Sequence, residues 1–279
     1  MREFTNRVAV VTGAASGIGR GLAERFASEG MKLVMADIEG EALAKAAQEI
    51  RAGGAEVLDV VTDVSKADQL EDLAAKAYDT YGTVNILCNN AGVGAGGLLA
   101  DLKITDWQWV LGVNLWGVIN GITAFLPRML KGGEEGHIVN TASLAGLISA
   151  PFMAPYSATK FAVVAISESL FHEMNMTGSK VHVSVLCPGW VNTRIFESER
   201  NRPKDLGGGS AAPEGDARAS MLKGVLEAGL QPSEVADQVL NAIREDRLYV
   251  ITHPDMLPAV EGRMNAILKG ENPPMSMIG

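Results

Sequence analysis

The chain has 279 residues, of which 47% are hydrophobic and 20% are charged, a composition typical of a globular protein and incompatible with disorder over its whole length. Its 24 lysines and arginines are outnumbered by 33 acidic residues, and the net charge of −9 argues against a surface for nucleic acid or anionic lipid. No uninterrupted apolar stretch reaches membrane-spanning length, and the two cysteines and four histidines lack metal-binding spacing. We therefore expect a cytoplasmic protein without a metal site.

Short β-branched runs alternate along the chain with longer segments of helical periodicity. The runs predict strands at residues 8–12, 32–36, 57–61, 84–88, 137–141, 181–186 and 248–252. Helices are predicted at residues 17–28, 41–52, 66–81, 105–130, 156–176 and 232–245. This alternation indicates an α/β fold, a single-domain Rossmann-type doubly wound parallel sheet of about seven strands with helices on both faces. One dinucleotide-binding and catalytic domain is expected to span residues 1–279.

A glycine-rich turn follows the first predicted strand and opens the first predicted helix. The sequence from Thr12 to Gly19 reads TGAASGIG, and its glycines would let the helix N-terminus approach a pyrophosphate. The predicted cofactor-binding residues in this turn are Gly13, Ser16, Gly17, Ile18 and Gly19. An ordinary strand-to-helix turn would use the same residues, so the turn needs support from elsewhere in the chain.

Asp37 provides that support, because it ends the second predicted strand. A carboxylate there can accept the adenosine ribose hydroxyls and repel a 2′-phosphate, which predicts NAD as the cofactor. A helix cap would also explain Asp37, and the nearby Arg20 leaves NADP open. Further cofactor-binding residues are predicted after the next two strands, where parallel sheets bind ligands: Asp63, Val64, Asn90, Ala91 and Gly92.

Tyr156 and Lys160 stand four residues apart and therefore share one face of a predicted helix. An ammonium beside a phenol favours the phenolate, and Pro155 suits a first helical turn, where the helix dipole has the same effect. We therefore expect a lowered pKa for Tyr156, which would make it the acid/base of a hydride-transfer reaction. Ser143 lies 13 residues before Tyr156, at a predicted strand end.

The motifs TGAASGIG, NNAG, a strand-end Ser143, YSATK and CPGWVNT follow one another along the chain. Through them the sequence resembles the classical short-chain dehydrogenase/reductase family from Val8 to Thr252. The resemblance implies a catalytic tetrad in which Ser143 binds the substrate oxygen, Asn114 holds a relay water, and Tyr156 and Lys160 also contact the cofactor. The residues implied to close over the nicotinamide are Pro188, Gly189, Val191 and Thr193.

The same resemblance implies a homotetramer, or a dimer, built on the predicted helices at residues 105–130 and 156–176. More weakly, GVNLWGVINGITAFLPRML, GHIV and the tail with LYVITHP resemble bacterial Cα-dehydrogenases, which oxidise benzylic alcohols in lignin-derived aryl ethers.

The residues that this frame places around the substrate are small or apolar: Val93, Leu144, Ala145, Phe152, Met153, Trp190, Ile195 and Phe196. They predict a bulky, largely apolar secondary alcohol or ketone, although the same side chains would also serve to pack a loop. Residues 194–230 are rich in glycine and proline, and we expect them to form a substrate-binding lid. A surface loop is the alternative for this segment.

Two other functions stay open. A 3-ketoacyl thioester reductase using NADPH would share the tetrad, but Asp37 and the acidic net charge, which would repel an acidic carrier protein, disfavour it. A non-catalytic nucleotide-sensing scaffold would have no need of Ser143, Tyr156 and Lys160 together. The sequence thus favours an NAD-dependent oxidoreductase acting on a small molecule.

Overall fold

The structure of the protein is a computed structural model that describes residues 1–208 and 224–274. In this part of the chain, seven parallel strands form one sheet in the order β3-β2-β1-β4-β5-β6-β7. The strands are β1 Val8–Thr12, β2 Lys32–Asp37, β3 Val57–Val61, β4 Ile86–Asn89, β5 Gly136–Thr141, β6 Val181–Cys187 and β7 Tyr249–Ile251. The α-helices are α1 Gly17–Ser28, α2 Gly40–Ala52, α3 Ala67–Tyr81, α4 Ile104–Leu111, α5 Gly117–Gly132, α6 Ala154–Thr177, α7 Pro232–Glu245 and α8 Leu257–Lys269. The predicted doubly wound parallel sheet is confirmed.

The sheet is covered on both faces, which explains the continuous apolar runs in its central strands. All five residues of β1 are buried, and Val10 pairs with Val34 on β2 and with Leu87 on β4. Successive residues face opposite layers. Val11 belongs to the core formed with α1, α2 and α7, whereas Val10 belongs to the core formed with α3, α5 and α6.

The strand order reverses beside β1. The chain builds outward from β1 to β3 and then returns to place β4 on the other side of β1. Ligands of open α/β sheets bind at such a switch point, in the crevice outside the carboxyl ends of the strands. The segments that follow β1, β2, β3, β4, β5 and β6 meet at this edge, which brings the predicted site residues together.

The helix predicted over residues 105–130 is two α-helices joined by a π turn at Gly112–Trp116. The combined helix Ile104–Gly132 contains a stretch of mean hydropathy 1.5 and is long and apolar enough to cross a membrane by length and composition. Asn114 and Asn120 interrupt this helix, so it is not the uninterrupted apolar run that the sequence analysis excluded. Half of the stretch is buried within the protein, where α5 packs against α3, so its apolar character is that of a core helix.

The ends of the other predicted elements agree with the structure to within two residues. α8 was not predicted, because Ala266 is its one buried residue and the helix therefore has little amphipathic pattern. Of the predicted lid at residues 194–230, residues 209–223 lie outside the described part of the chain. The described part begins with a 3₁₀ helix, Ile195–Asn201.

Candidate active site

A cleft runs along the carboxyl ends of the strands. The predicted cofactor-binding residues that line it are Gly13, Ser16, Gly17, Ile18, Asp37, Asp63, Val64, Asn90, Ala91, Gly92, Tyr156, Lys160, Pro188, Gly189, Val191 and Thr193. Gly19 does not line the cleft and is buried in the first turn of α1. The wall also holds residues that the sequence did not point to, namely Thr62, Trp109, Val113, Thr141 and Ala142. From the predicted lid it holds Ser198, Arg200, Asn201 and Leu226, which were not named singly.

The turn between β1 and α1 has a backbone suited to glycine. Gly13 and Gly17 have φ angles of 68° and 53°, in the left-handed region. A Cβ on Gly13 would lie 2.8 Å from Ala91 Cα, and a Cβ on Gly19 would collide with the Gly13 carbonyl oxygen. This close packing brings the N-terminus of α1 to the cleft, where its first N–H groups and its dipole suit a pyrophosphate.

Asp37 lies beside this turn, at the end of β2. Its Oδ2 accepts a hydrogen bond from the Ala15 N–H at 3.0 Å, and its Oδ1 accepts one from the Glu39 N–H at 3.0 Å. Burial raises the pKa of Asp37, and these backbone donors oppose the shift. The sequence left open a helix cap as the role of Asp37, but the N-cap of α2 is Glu39, and the bond from the Glu39 N–H closes a turn just before the helix. The carboxylate also lines the cleft, so it can accept ribose hydroxyls as well.

Thr12 fixes the loop after β4 against the glycine turn. Its Oγ1 accepts hydrogen bonds from the N–H groups of Asn90 and Ala91 at 2.9 and 3.1 Å. In return, Asn90 Nδ2 donates to the Thr12 carbonyl oxygen at 2.9 Å. Asn90 and Ala91 thus have a structural role that sequence alone could not distinguish from a binding role, and this role holds them on the cleft wall.

Ser143, Tyr156 and Lys160 lie together at the other end of the cleft. Ser143 Oγ accepts a hydrogen bond from the Ala145 N–H at 3.1 Å and donates one to the Pro188 carbonyl oxygen at 3.4 Å. Tyr156 stands in the first turn of α6, directly after Pro155. Lys160 Nζ donates to the Thr141 carbonyl oxygen at 2.9 Å and lies 5.4 Å from the centre of the Tyr156 ring.

The ionisation of this cluster differs from the sequence-based expectation. Burial raises the pKa of Tyr156, and the hydrogen bond with Ser143 opposes that shift. Burial also lowers the pKa of Lys160 to about 8. The expectation that Lys160 would lower the pKa of Tyr156 is therefore wrong, because desolvation of the phenol outweighs the other influences on it.

Asn114 lies in the π turn and is fully buried. Its Oδ1 accepts a hydrogen bond from the Val93 N–H at 2.8 Å, and its Nδ2 donates to the Val93 carbonyl oxygen at 2.9 Å. The amide therefore holds the loop that follows β4 and does not line the cleft. Of the predicted tetrad, the structure brings three side chains to one point and places the fourth behind the cleft wall.

The predicted substrate residues are only partly brought together. Val93 and Ile195 line the cleft. Leu144 and Ala145 are 1% and 2% exposed, because the short 3₁₀ helix that follows Ser143 buries both side chains.

The remaining predicted substrate residues lie elsewhere. Phe152, Met153 and Trp190 do not line the cleft, and Phe196 lines a neighbouring cavity instead. The apolar wall is supplied instead by Trp109, Val113 and Leu226. Trp109 and Val113 are four residues apart, a helical spacing that could have identified them.

Residues 195–202, which we call the strap, follow the last strand-end segment of the cleft and are held at three places. In the middle, Ser198 Oγ accepts a hydrogen bond from the Gly94 N–H at 3.1 Å. Two residues further on, Arg200 Nη2 and Glu39 Oε1 are 2.6 Å apart. At the C-terminal end, Arg202 Nη2 lies 2.5 Å from Asp106 Oδ1. The strap therefore contacts both the segment after β2 and the start of α4.

Comparison with known proteins agrees with this geometry. Residues 7–204 match the short chain dehydrogenase family. A CLA biosynthesis dehydrogenase/reductase from Lactiplantibacillus plantarum is 34% identical over 274 residues, covering 96% of this chain and 95% of the relative. A C alpha-dehydrogenase from Sphingobium sp. is 33% identical over 274 residues, covering 98% of this chain and 89% of the relative.

Among solved structures, a short chain dehydrogenase/reductase from Burkholderia phymatum in complex with NAD is 46% identical. Its TM-score is 0.95, and the match covers 99% of this chain and 100% of that one. The chain is thus similar, in sequence and in fold, to proteins named as dehydrogenases or reductases. The chain belongs to the short-chain dehydrogenase/reductase family.

Proposed function

We propose that this protein transfers hydride between the nicotinamide of NAD and a bulky, largely apolar secondary alcohol or ketone. The observation that carries the proposal is the placement of Ser143, Tyr156 and Lys160 at one end of a cleft that has Asp37 at the other. The three side chains suit proton transfer at an alcohol oxygen. The Asp37 carboxylate suits the binding of a ribose that has no 2′-phosphate.

The residues of the cleft fit an extended dinucleotide. The crowded glycine turn leaves no room for side chains where a pyrophosphate would approach α1. Asp37 would bind the adenosine ribose, and Lys160 would bind the nicotinamide ribose. When bound, the nicotinamide accepts hydride from the carbinol carbon in oxidation and returns it to the carbonyl carbon in reduction.

Tyr156 supplies the proton chemistry in this proposal. Its raised pKa keeps the phenol protonated and makes it a proton donor for ketone reduction. In alcohol oxidation the phenolate takes the hydroxyl proton, and the raised pKa of Tyr156 makes this phenolate a minor form near neutral pH. Ser143 donates a hydrogen bond to the substrate oxygen as its charge develops. Asn114 positions the loop of Val93, and its relay water stays a prediction.

The apolar side chains of the cleft support the proposed substrate class. Val93, Trp109, Val113 and Leu226 carry no charge that would recognise a carboxylate or phosphate. Arg194 lines the cleft as well, but its Nε is 2.5 Å from Glu197 Oε2, which neutralises it. The similarity to a C alpha-dehydrogenase is in keeping with a secondary alcohol. The lid proposed for residues 194–230 would enclose this substrate, and its described residues on the cleft wall are Arg194, Ile195, Ser198, Arg200, Asn201 and Leu226.

We further propose a cytoplasmic homo-oligomer, either a tetramer or a dimer. Trp116, which follows α4 in the π turn, is 53% exposed, and Ile104 at the start of α4 is 72% exposed. Apolar side chains of this size on the exposed side of the combined helix Ile104–Gly132 support a subunit contact there. Sedimentation at micromolar concentration gives the subunit number directly.

The test is turnover of aryl and alicyclic secondary alcohols with NAD, followed by the absorbance of the reduced cofactor. Tyr156→Phe should lower kcat by at least about 100-fold while NAD still binds, because the ring remains packed and only the proton-transferring oxygen is lost. Retention of most activity in that variant would remove Tyr156 from its role. Absence of turnover with every alcohol and ketone would favour the nucleotide-sensing scaffold, and better turnover of 3-ketoacyl thioesters with NADPH would favour the reductase.

A further inference from the structure

Arg200 of the strap lies at the adenosine end of the cleft, although it is 161 positions from Glu39 in sequence. Its Nε and Nη2 donate to Glu39 Oε1 at 3.0 and 2.6 Å. Its Nη1 donates to the carbonyl oxygens of Glu197 and Arg194 at 2.8 and 3.3 Å. The guanidinium is therefore held in place on every nitrogen and faces the segment that follows Asp37.

The other cations near the adenosine end of the cleft are not hydrogen-bonded to Glu39. Arg20 does not line the cleft, and its Nε and Nη2 are 2.7 and 2.6 Å from Glu24 and Glu49 oxygens. Among the described residues that line the cleft, the cations are Lys160, Arg194 and Arg200. Lys160 belongs to the chemical end, and Arg194 is bonded to Glu197 and acts on Glu39 through its charge alone. Arg200 is therefore the guanidinium that is hydrogen-bonded to Glu39.

Glu39 is the residue whose carboxylate neutralises the Arg200 guanidinium. Its Oε1 accepts from Arg200 and also from Asn201 Nδ2 at 2.8 Å. Although desolvation of Glu39 acts in the opposite direction, these hydrogen bonds hold the pKa of its carboxyl below the ordinary value. Glu39 is therefore ionised at neutral pH. Guanidinium and amide donors are the groups that bind phosphate well, and here both are directed at a carboxylate.

We propose that Glu39 is a specificity-determining residue that keeps Arg200 and Asn201 from serving as a 2′-phosphate site. A 2′-phosphate on the adenosine ribose would meet the carboxylates of Asp37 and Glu39 while the nearest guanidinium is already occupied. Removing the charge of Glu39 releases Arg200 to make charge-assisted hydrogen bonds with that phosphate. The inference rests on the proposed NAD-dependent function. Asp37 would repel a 2′-phosphate directly, whereas Glu39 would also act indirectly, by occupying Arg200 of the strap.

The experiment titrates the protein with 2′,5′-ADP and with 5′-AMP by calorimetry, since these probes differ by the 2′-phosphate alone. Glu39→Gln should bind 2′,5′-ADP about tenfold more tightly than the wild type, while its affinity for 5′-AMP stays within about twofold. Glu39→Gln combined with Arg200→Gln should lose the gain. Glu39→Ser, which places a favourable hydroxyl at the N-cap of α2, provides the same comparison if the first variant folds poorly.

Two results would overturn the inference. A gain that persists in the double variant would mean that Glu39 acts through repulsion alone, and an unchanged affinity in Glu39→Gln would mean that Arg200 does not reach the phosphate. Neither result depends on turnover. Failure of the wild type to reduce NAD with any alcohol would instead reject the proposed function, while the two titrations would still report on the adenosine end.

Discussion

Lys160→Met should make the protein more stable while abolishing its activity. Lys160 is 3% exposed, and its one described hydrogen bond is with the Thr141 carbonyl oxygen. Burying an ammonium with so little compensation costs free energy, and the lowered pKa of Lys160 expresses that cost. Methionine has a similar length and no charge, so it can occupy the same space among buried neighbours.

The size of the effect follows from the pKa. A shift from 10.5 to about 8 corresponds to about 3 kcal/mol of free energy of unfolding, at about 1.4 kcal/mol per pKa unit. Loss of the hydrogen bond with Thr141 subtracts about 1–2 kcal/mol, which leaves a net gain of about 1–2 kcal/mol at neutral pH. Between pH 8 and 10.5 the unfolded wild type holds a proton that the folded protein has lost, so the wild type gains stability and the advantage of the variant shrinks.

Urea unfolding of both proteins at about pH 7 and about pH 9.5 measures this difference under two-state conditions. Lys45→Met is the matched control, because Lys45 is an exposed lysine on α2. The control should change the free energy of unfolding by less than about 0.5 kcal/mol. The reasoning is refuted if Lys160→Met is no more stable than the wild type near neutral pH, or if its advantage is the same at both pH values.

Three further outcomes are expected. Burial lowers the pKa of His137 from 6.5 to about 3, so the unfolded state binds the proton first on acidification. The free energy of unfolding, measured by urea titration, should then fall by about 1 kcal/mol between pH 6.5 and 5.5. In His137→Gln this dependence on pH should disappear. Gly121→Ala should destabilise the protein by about 1–3 kcal/mol and lower its melting temperature, because the added Cβ would collide with Asn89 Oδ1. The control is Gly132→Ala on the same helix, whose added Cβ meets open space and should lower the melting temperature little or not at all. Asp37→Ala with Ile38→Arg should move the ratio of kcat/KM for NAD and NADP towards NADP, and an unchanged ratio would remove Asp37 from cofactor selection.

The elements that the sequence predicted correctly are those specified by local pattern. The buried runs of β1 and β2 are continuous because both faces of the sheet are covered, and the glycine turn needs left-handed φ angles at Gly13 and Gly17. The acidic residue at the end of β2 and the tyrosine and lysine of α6 are also local features. Each was therefore visible from neighbouring residues alone.

The parts that the sequence did not predict depend on contacts between distant segments. The π turn lies where the Asn114 side chain is hydrogen-bonded to the backbone of Val93. The sequence of α4 contains no pattern that predicts these bonds. Arg200 reaches the cleft only because the strap returns to Glu39. The raised pKa of Tyr156 reflects desolvation by the whole surrounding fold, whereas the spacing of Tyr156 and Lys160 reports just one neighbour.

The attachment of the strap has a consequence for the rate of turnover. Its C-terminal half is held by two ion pairs, Arg200 with Glu39 and Arg202 with Asp106. The side chains of the first pair are 27% and 24% exposed, and those of the second are 9% and 17% exposed. Salt screens a partly exposed pair, which shortens the lifetime of the Arg200–Glu39 contact. If departure of the spent dinucleotide limits the reaction, kcat should rise with moderate ionic strength while the chemical step, measured in a single turnover, does not change. The lifetimes of the ion pairs that Arg200 and Arg202 form with their carboxylates would then set the rate of turnover.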